Sequence, residues 1–166
     1  MRISVISGLW AAFLSVGTAT ASPENMTVDR FLAICEATDL QAATEKGDDL
    51  GWQRLTDAET EEWRTHFVGY NGGSVEAVGW RRQTAGQAEP LSFWGAVGPN
   101  GHTACTYSTA RPDGLLDALS VQLGLSHTLE KTDSIEMISA YWKHGAVADS
   151  FTQIGSSITI AVGPSR

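Results

Sequence analysis

The spacing of apolar residues changes along the chain, from a helical repeat in its first part to strand-like alternation afterwards. Val28, Phe31, Leu32 and Cys35 recur at i, i+3, i+4 and i+7, so they share one stripe of a helix. After the glycine-rich segment 69–73, apolar and polar residues alternate instead, as they do in a half-buried strand. The pattern predicts helices first and a sheet after them.

Two further helices are predicted before the sheet. Residues 38–46 form a short helix that opens at Thr38 and stops at Gly47. Thr56 and Glu59 have the spacing of a capping box, in which a hydroxyl and a carboxylate each accept a hydrogen bond from an otherwise unpaired backbone N–H. A helix is therefore expected from this box to about Phe67.

One late helix and five strands account for the rest of the chain. The helix covers 115–123 and ends at Gly124, a common residue after a helix. The predicted strands are 74–82, 91–97, 102–109, 134–142 and 156–162. The predicted fold class is α+β, with a mostly antiparallel sheet of about five strands and the helices packed on one face.

A tight turn is predicted between the second and third of these strands. Segment 98–101, Gly-Pro-Asn-Gly, places Pro and Asn at the central positions of a type I turn. If Val97 and His102 close this hairpin, Trp94 lies opposite Cys105. The face that carries Trp94 is therefore expected to be buried.

The first 21 residues have the pattern of a secretory signal peptide. The basic start Met1-Arg2 precedes a largely apolar stretch over 3–16, and Ala19-Thr20-Ala21 matches the A-x-A cleavage signature. The apolar stretch is shorter than the roughly 20 residues of a membrane anchor. We expect residues 22–166 to be a single periplasmic or secreted domain, with an acidic helical part (22–68) and a strand-rich part (74–166).

The chain has two cysteines, Cys35 and Cys105, which suits one disulfide in an oxidising compartment. The alternative is a nucleophilic thiol at Cys105 served by His102. A thiol nucleophile needs a lowered pKa, and neither cysteine lies in a C-x-x-C or protease signature. The disulfide is the prediction.

The charge is concentrated in the helical part. Between Glu24 and Glu62 there are 11 acidic and three basic residues, in a chain whose formal net charge is −8. The hydrophobic fraction of 42% is ordinary for a globular protein and excludes a disordered chain. Because binding to nucleic acid depends on basic residues that neutralise phosphates, nucleic acid is not an expected partner.

No catalytic or cofactor motif stands out in the sequence. The four histidines, at 66, 102, 127 and 144, are scattered singly, without the spacing of a zinc site. A nucleophile elbow and a phosphate-binding glycine loop are both missing from the sequence. No cofactor, metal or catalytic residue is predicted, and a site assembled over long range stays open.

One candidate interaction patch comes from the first strand. Trp80, Arg81 and Arg82 are adjacent, and an exposed aromatic residue beside arginines is typical of interface anchors. The alternative interpretation is that Trp80 belongs to the core and that the arginines extend their charged ends to water.

Several of these features together resemble a group of proteins. They are the export signal, the Phe31-x-x-x-Cys35 helix, the Gly51-Trp52 step and the second cysteine in a mid-chain strand. The chain resembles small uncharacterised secreted proteins of alphaproteobacteria. The resemblance implies a periplasmic location and a disulfide, and it implies no activity or site residues.

Two classes of function follow from these observations. The first is a non-catalytic binding or interaction module whose partner is a protein or another envelope component. The alternative is a small hydrolase-like enzyme whose carboxylates and histidines meet only in the folded chain. A pocket with converging Asp, Glu and His side chains would favour the enzyme, whereas an apolar patch bearing tryptophan would favour binding.

Overall fold

The computed structural model describes residues 25–71, 73–84, 86–98, 101–111 and 114–165. The predicted signal peptide, residues 1–21, lies outside them. The helices are α1 (Val28–Cys35), α2 (Leu40–Asp48), α3 (Asp57–Asn71) and α4 (Leu115–Leu123). The strands are β1 (Gln53–Arg54), β2 (Ser74–Thr84), β3 (Gln87–Val97), β4 (His102–Thr109), β5 (Thr128–Thr132), β6 (Met137–His144), β7 (Val147–Ile154) and β8 (Ser157–Pro164).

All of these strands form one antiparallel sheet in the order β1-β2-β3-β4-β8-β7-β6-β5. The α+β class is confirmed, but the described sheet has eight strands and not about five. The missed strands are β1, with two residues, β5, which is largely exposed, and β7, which has Asp149 in its middle. Their polar residues obscure the alternation that identifies a strand.

The helices cover both faces of the sheet, and the expectation of a single covered face is wrong. Trp80 points from β2 towards α2, where its ring lies against Gly47. Its neighbour Gly79 faces the other way, and a Cβ there would fall 2.8 Å from the Trp63 ring of α3. Because adjacent strand residues point to opposite faces, α2 and α3 lie on opposite sides of the sheet. We call the side of Trp80 the core face and the side of Gly79 the α3 face.

The core face is closed by α1, α2 and α4, which contribute to one apolar cluster with the sheet. Phe31 of α1 packs beside Tyr107 of β4, with ring centroids 6.3 Å apart. Trp142 of β6 donates from Nε1 to the backbone oxygen of Gly124, at the end of α4, over 2.8 Å. The predicted disulfide is present and joins Cys35 of α1 to Cys105 of β4.

The hairpin of β3 and β4 is antiparallel as predicted, but its register differs by one residue. Phe93, and not Trp94, lies opposite Cys105, and Trp94 lies opposite Ala104. The backbone N–H of Gly101 donates to the carbonyl oxygen of Gly98 over 3.0 Å, and the predicted central turn residues 99 and 100 lie outside the described residues. A shift of one residue moves every side chain to the other face. Trp94 is therefore half-buried on the α3 face, and its predicted place in the core is wrong.

The starts of α2 and α3 test the predicted capping residues. At α3, Glu59 accepts from the backbone N–H of Thr56 and the Thr56 hydroxyl accepts from the N–H of Glu59, so the capping box is confirmed. At α2 the cap is Asp39, whose side chain accepts from the N–H of Ala42, and not Thr38. No helix among the described residues is long and apolar enough to cross a membrane.

Candidate functional site

The candidate patch of Trp80, Arg81 and Arg82 does not form a common exposed surface. Trp80 is fully buried, and its Nε1 donates to Asp48 Oδ1 over 2.8 Å. Arg82 is also buried on the core face, whereas Arg81 points to the α3 face and bonds Glu59 Oε1 over 2.7 Å. The interpretation of Trp80 as a core residue agrees with the structure. The prediction that Trp80, Arg81 and Arg82 form an exposed interaction patch is wrong.

Arg82 belongs to a buried cluster of charges centred on Glu89. Glu89 accepts from Arg82 Nε over 2.8 Å, and from Arg82 Nη2 as well. It also accepts from the Thr109 hydroxyl over 2.8 Å and from Arg111 Nε over 2.9 Å. Arg82 Nη1 donates to Asn25 Oδ1, which ties the described start of the chain to the sheet. Buried charges are tolerated when they are paired and hydrogen-bonded, so a structural role explains this cluster.

The four histidines lie on separate segments of the described chain, and two of them, His66 and His102, border one depression on the α3 face. His66 is exposed on α3, with Nε2 3.9 Å from Glu62, and His127 Nδ1 accepts from the backbone N–H of Lys143. His144 Nε2 lies 4.0 Å from Asp149 Oδ2. In the part of the chain that the structure describes, no group of three or more His, Cys, Asp or Glu residues could hold a metal ion.

Asp149 is a buried acid on the core face whose carboxyl has a shifted pKa. It is buried on β7, and burial raises its pKa above the usual value for an aspartate. The nearby His144 acts in the opposite direction, and the charge of Glu36 at the end of α1 raises the pKa further. A single buried acid and one imidazole at 4.0 Å do not supply the nucleophile, base and charge stabiliser that hydrolysis requires.

An open depression lies on the α3 face, where α3 stops covering the sheet. It is an open groove of about 530 Å³, a size within the usual range for ligand sites. We call it the sheet groove. Its described lining residues are His66, Phe67, Trp94, His102, Ala104, Thr106, Tyr141, Ala148, Ser150, Ala161, Val162, Gly163 and Pro164.

Aromatic side chains border the sheet groove on two sides. On one side, Phe67 of α3 stacks on Trp94 of β3, with ring centroids 4.6 Å apart and ring planes 25° apart. On the other side stands Tyr141 of β6, which is half-buried. Strands β4, β8 and β7 lie between β3 and β6, which places the two borders about 19 Å apart at the usual strand spacing of about 4.8 Å.

Small side chains form the floor between these borders. Thr106, Ala161 and Ser150 follow one another across β4, β8 and β7, and Tyr141 continues the same row on β6. The Ser150 hydroxyl donates to the backbone oxygen of Ala161 over 3.4 Å. The floor is therefore shallow and largely apolar, and the Ser150 hydroxyl is already hydrogen-bonded to the backbone.

The sheet groove carries little charge. None of its described lining residues is an Asp, Glu, Lys or Arg, and its titratable groups are the imidazoles of His66 and His102 and the phenol of Tyr141. Glu59, the carboxylate of the capping box, is not part of the groove lining. Glu59 pairs with Arg81, and the backbone N–H of Thr56 and the Arg81 side chain hold the pKa of Glu59 below its usual value.

The sheet groove is not apparent from the sequence pattern alone, for an identifiable reason. Alternate positions of β4, β8 and β7 are occupied by Ala, Ser, Thr or Gly, a pattern that is visible in the sequence. The predicted hairpin register places Trp94 on the core face, and β7 is not among the predicted strands, so the sequence pattern does not bring Trp94 and these small residues together.

No protein-family model matches the chain, and neither a curated protein nor a solved structure is significantly similar to it.

Proposed function

We propose that the chain is an exported, non-catalytic binding module and that the sheet groove is its ligand site. The observation that carries this proposal is the uneven covering of the sheet. Three helices close the core face, whereas α3 covers only one side of the opposite face and leaves β4, β8 and β7 open beside two aromatic borders. An exposed apolar depression of this kind is typical of interaction and ligand sites.

The proposed export rests on the signal-peptide pattern of residues 1–21 and on the two cysteines. The Cys35–Cys105 disulfide is consistent with folding in an oxidising compartment. The proposed location is therefore the periplasm or the cell exterior, and the proposed partner is a component of the cell envelope.

The chemistry of the sheet groove supports binding over hydrolysis. A histidine that acts as a general base is oriented by a second polar group and stands beside a nucleophile or a water site. The described lining includes His66 and His102 but no carboxylate. Glu62, whose Oε1 lies 3.9 Å from His66 Nε2, is exposed on α3 together with His66.

Binding of Nile red, an uncharged dye that fluoresces in apolar surroundings, tests the proposal. We expect saturable binding at one site per chain. Ala161→Phe fills the floor of the groove and should weaken binding at least tenfold. Thr132→Phe adds the same ring to the same face on β5, outside the groove, and should bind as the unmodified protein does. Equal affinity of both variants, or no saturable binding at all, would overturn the assignment of the site.

A further inference from the structure

We propose that the ligand of the sheet groove is an uncharged molecule held by a single hydrocarbon chain, which lies across β4, β8 and β7 between Trp94 and Tyr141. This inference rests on the proposed function and adds the chemical class of the ligand. Charge, hydrogen bonding and shape each support it.

Charge complementarity argues against an ionic ligand. Anionic ligands are commonly paired with Arg or Lys and cationic ligands with Asp or Glu, and the described lining of the groove has none of these four residue types. The chain as a whole has a formal charge of −8, which repels anions at a distance. An uncharged ligand avoids the cost of leaving a desolvated charge without a partner.

Hydrogen bonding argues against a sugar. A saccharide presents many hydroxyl groups, which need several converging polar partners in the site. Here Ser150 already donates to the carbonyl oxygen of Ala161, and on the neighbouring part of the same face the hydroxyls of Ser108 and Thr159 bond each other over 3.2 Å. The described lining has no Asn or Gln, and its other polar side chains are those of His66, His102, Thr106 and Tyr141. The groove is therefore better matched to hydrocarbon than to sugar.

The shape of the groove favours a long, thin ligand. Its floor is made of small residues such as Ala104, Ala148 and Gly163, whereas its borders are the large rings of Trp94 and Tyr141. The borders are about 19 Å apart at the usual strand spacing. A flexible alkyl or acyl chain can lie on such a floor and contact a ring at each end, whereas a compact ligand contacts only one of them.

Displacement of Nile red by octyl, decyl and dodecyl maltoside, each kept below its micelle concentration, tests this inference. Each buried methylene contributes about 0.8 kcal/mol, which corresponds to about a fourfold change in affinity. Because the groove is open on one side, we expect the dissociation constant to fall two- to fourfold for each added methylene. Maltose alone should not displace the dye, and dodecyl sulfate or dodecyltrimethylammonium should bind less tightly than dodecyl maltoside.

The outcomes separate the two proposals. If Nile red binds to the unmodified protein but the maltosides show no dependence on chain length, the hydrocarbon inference is wrong and the binding function stands. Displacement by maltose or by chitotetraose would assign a sugar instead, and displacement only by an amphipathic helical peptide would assign a protein partner. Either result would overturn the inference. A protein that does not bind Nile red at all contradicts the proposed function itself.

Discussion

The rings of Phe67 and Trp94 stack with their centroids 4.6 Å apart, which fixes the end of α3 to the strand beside the sheet groove. One turn earlier in the helix, Trp63 lies against Gly79 of β2, where a larger residue would collide with its ring. These two contacts hold α3 at one side of the sheet. The position of α3 in turn decides how much of β4, β8 and β7 stays open.

A double-mutant cycle on Phe67→Ala and Trp94→Ala measures this contact. A stacked aromatic pair contributes about 0.5 to 1.5 kcal/mol beyond the surface that each ring buries. We expect a coupling free energy in that range from urea unfolding of the four proteins. A coupling near zero would mean that the rings do not stack in solution.

The disulfide should be a major source of stability. Cys35 and Cys105 are separated by 70 positions, so the bridge closes a long loop and restricts the unfolded chain. Replacing both residues by Ala is expected to lower the free energy of unfolding by about 2 to 5 kcal/mol. Non-reducing peptide mapping should recover the two cysteine peptides linked to each other. Free thiols in the freshly purified native protein would count against the bridge.

Glu89 should be far more important for stability than an exposed glutamate. Glu89→Ala leaves Arg82 buried without its carboxylate partner. The free energy of unfolding is therefore expected to fall by about 3 to 5 kcal/mol. The matched control is Glu61→Ala, which removes the exposed ion pair with Arg64 and should change the free energy of unfolding by less than about 1 kcal/mol. Chemical denaturation of both variants checks the difference. Similar losses in the two would show that the Glu89 cluster is not buried as described.

Gly47 is required because Trp80 occupies the space beside it. A Cβ at Gly47 would fall 2.2 Å from Cζ2 of the buried Trp80 ring. Gly47→Ala is therefore expected to destabilise the protein by about 1 to 3 kcal/mol. At Gly69 of α3 no atom other than the adjacent residues and the helix's own backbone lies within 4 Å of the corresponding position, so Gly69→Ala should be neutral or stabilising by up to about 1 kcal/mol. Thermal unfolding should rank the two variants in this order, and the reverse order would refute the contact between α2 and β2.

Asp149 should make stability depend on pH in the direction opposite to a salt-bridged acid. Burial raises its pKa, so the folded chain holds this proton more tightly than the unfolded chain does. The stabilisation of the folded chain by protonated Asp149 is complete below the pKa of the unfolded chain, about 3.9. It is lost as the pH rises through the pKa of Asp149 in the folded chain. Asp149→Asn should therefore be more stable than the unmodified protein at pH 7, and this advantage should disappear near pH 3. A variant that is less stable at pH 7 would show that the ionised carboxylate is stabilised by His144 instead.

Local signals in the sequence predict much of this fold. The stripe of Val28, Phe31 and Cys35, the capping box of Thr56 and Glu59, and the glycine after α4 each act through neighbouring residues, and the structure contains all of them. The pairing of β3 with β4 also follows from the local turn.

Features that depend on tertiary contacts were not predictable in the same way. The register of β3 on β4 is one residue away from the expected one, because the turn alone does not decide which face Trp94 occupies. The side of the sheet chosen by α3 depends on the space above Gly79, which only the folded chain defines. The sheet groove results from both of these features, so the sequence supplied its residues but not their arrangement.

Mapping of amide chemical shifts by NMR, with dodecyl maltoside added below its micelle concentration, tests the assignment of the ligand site most directly. We predict the largest shifts in the floor and borders of the sheet groove, at Trp94, Thr106, Tyr141 and Ala161, with little change in α1 and α2 on the core face. Shifts concentrated instead at the exposed apolar residues beside the outer strand, Val121, Leu125 and Leu129, would contradict it.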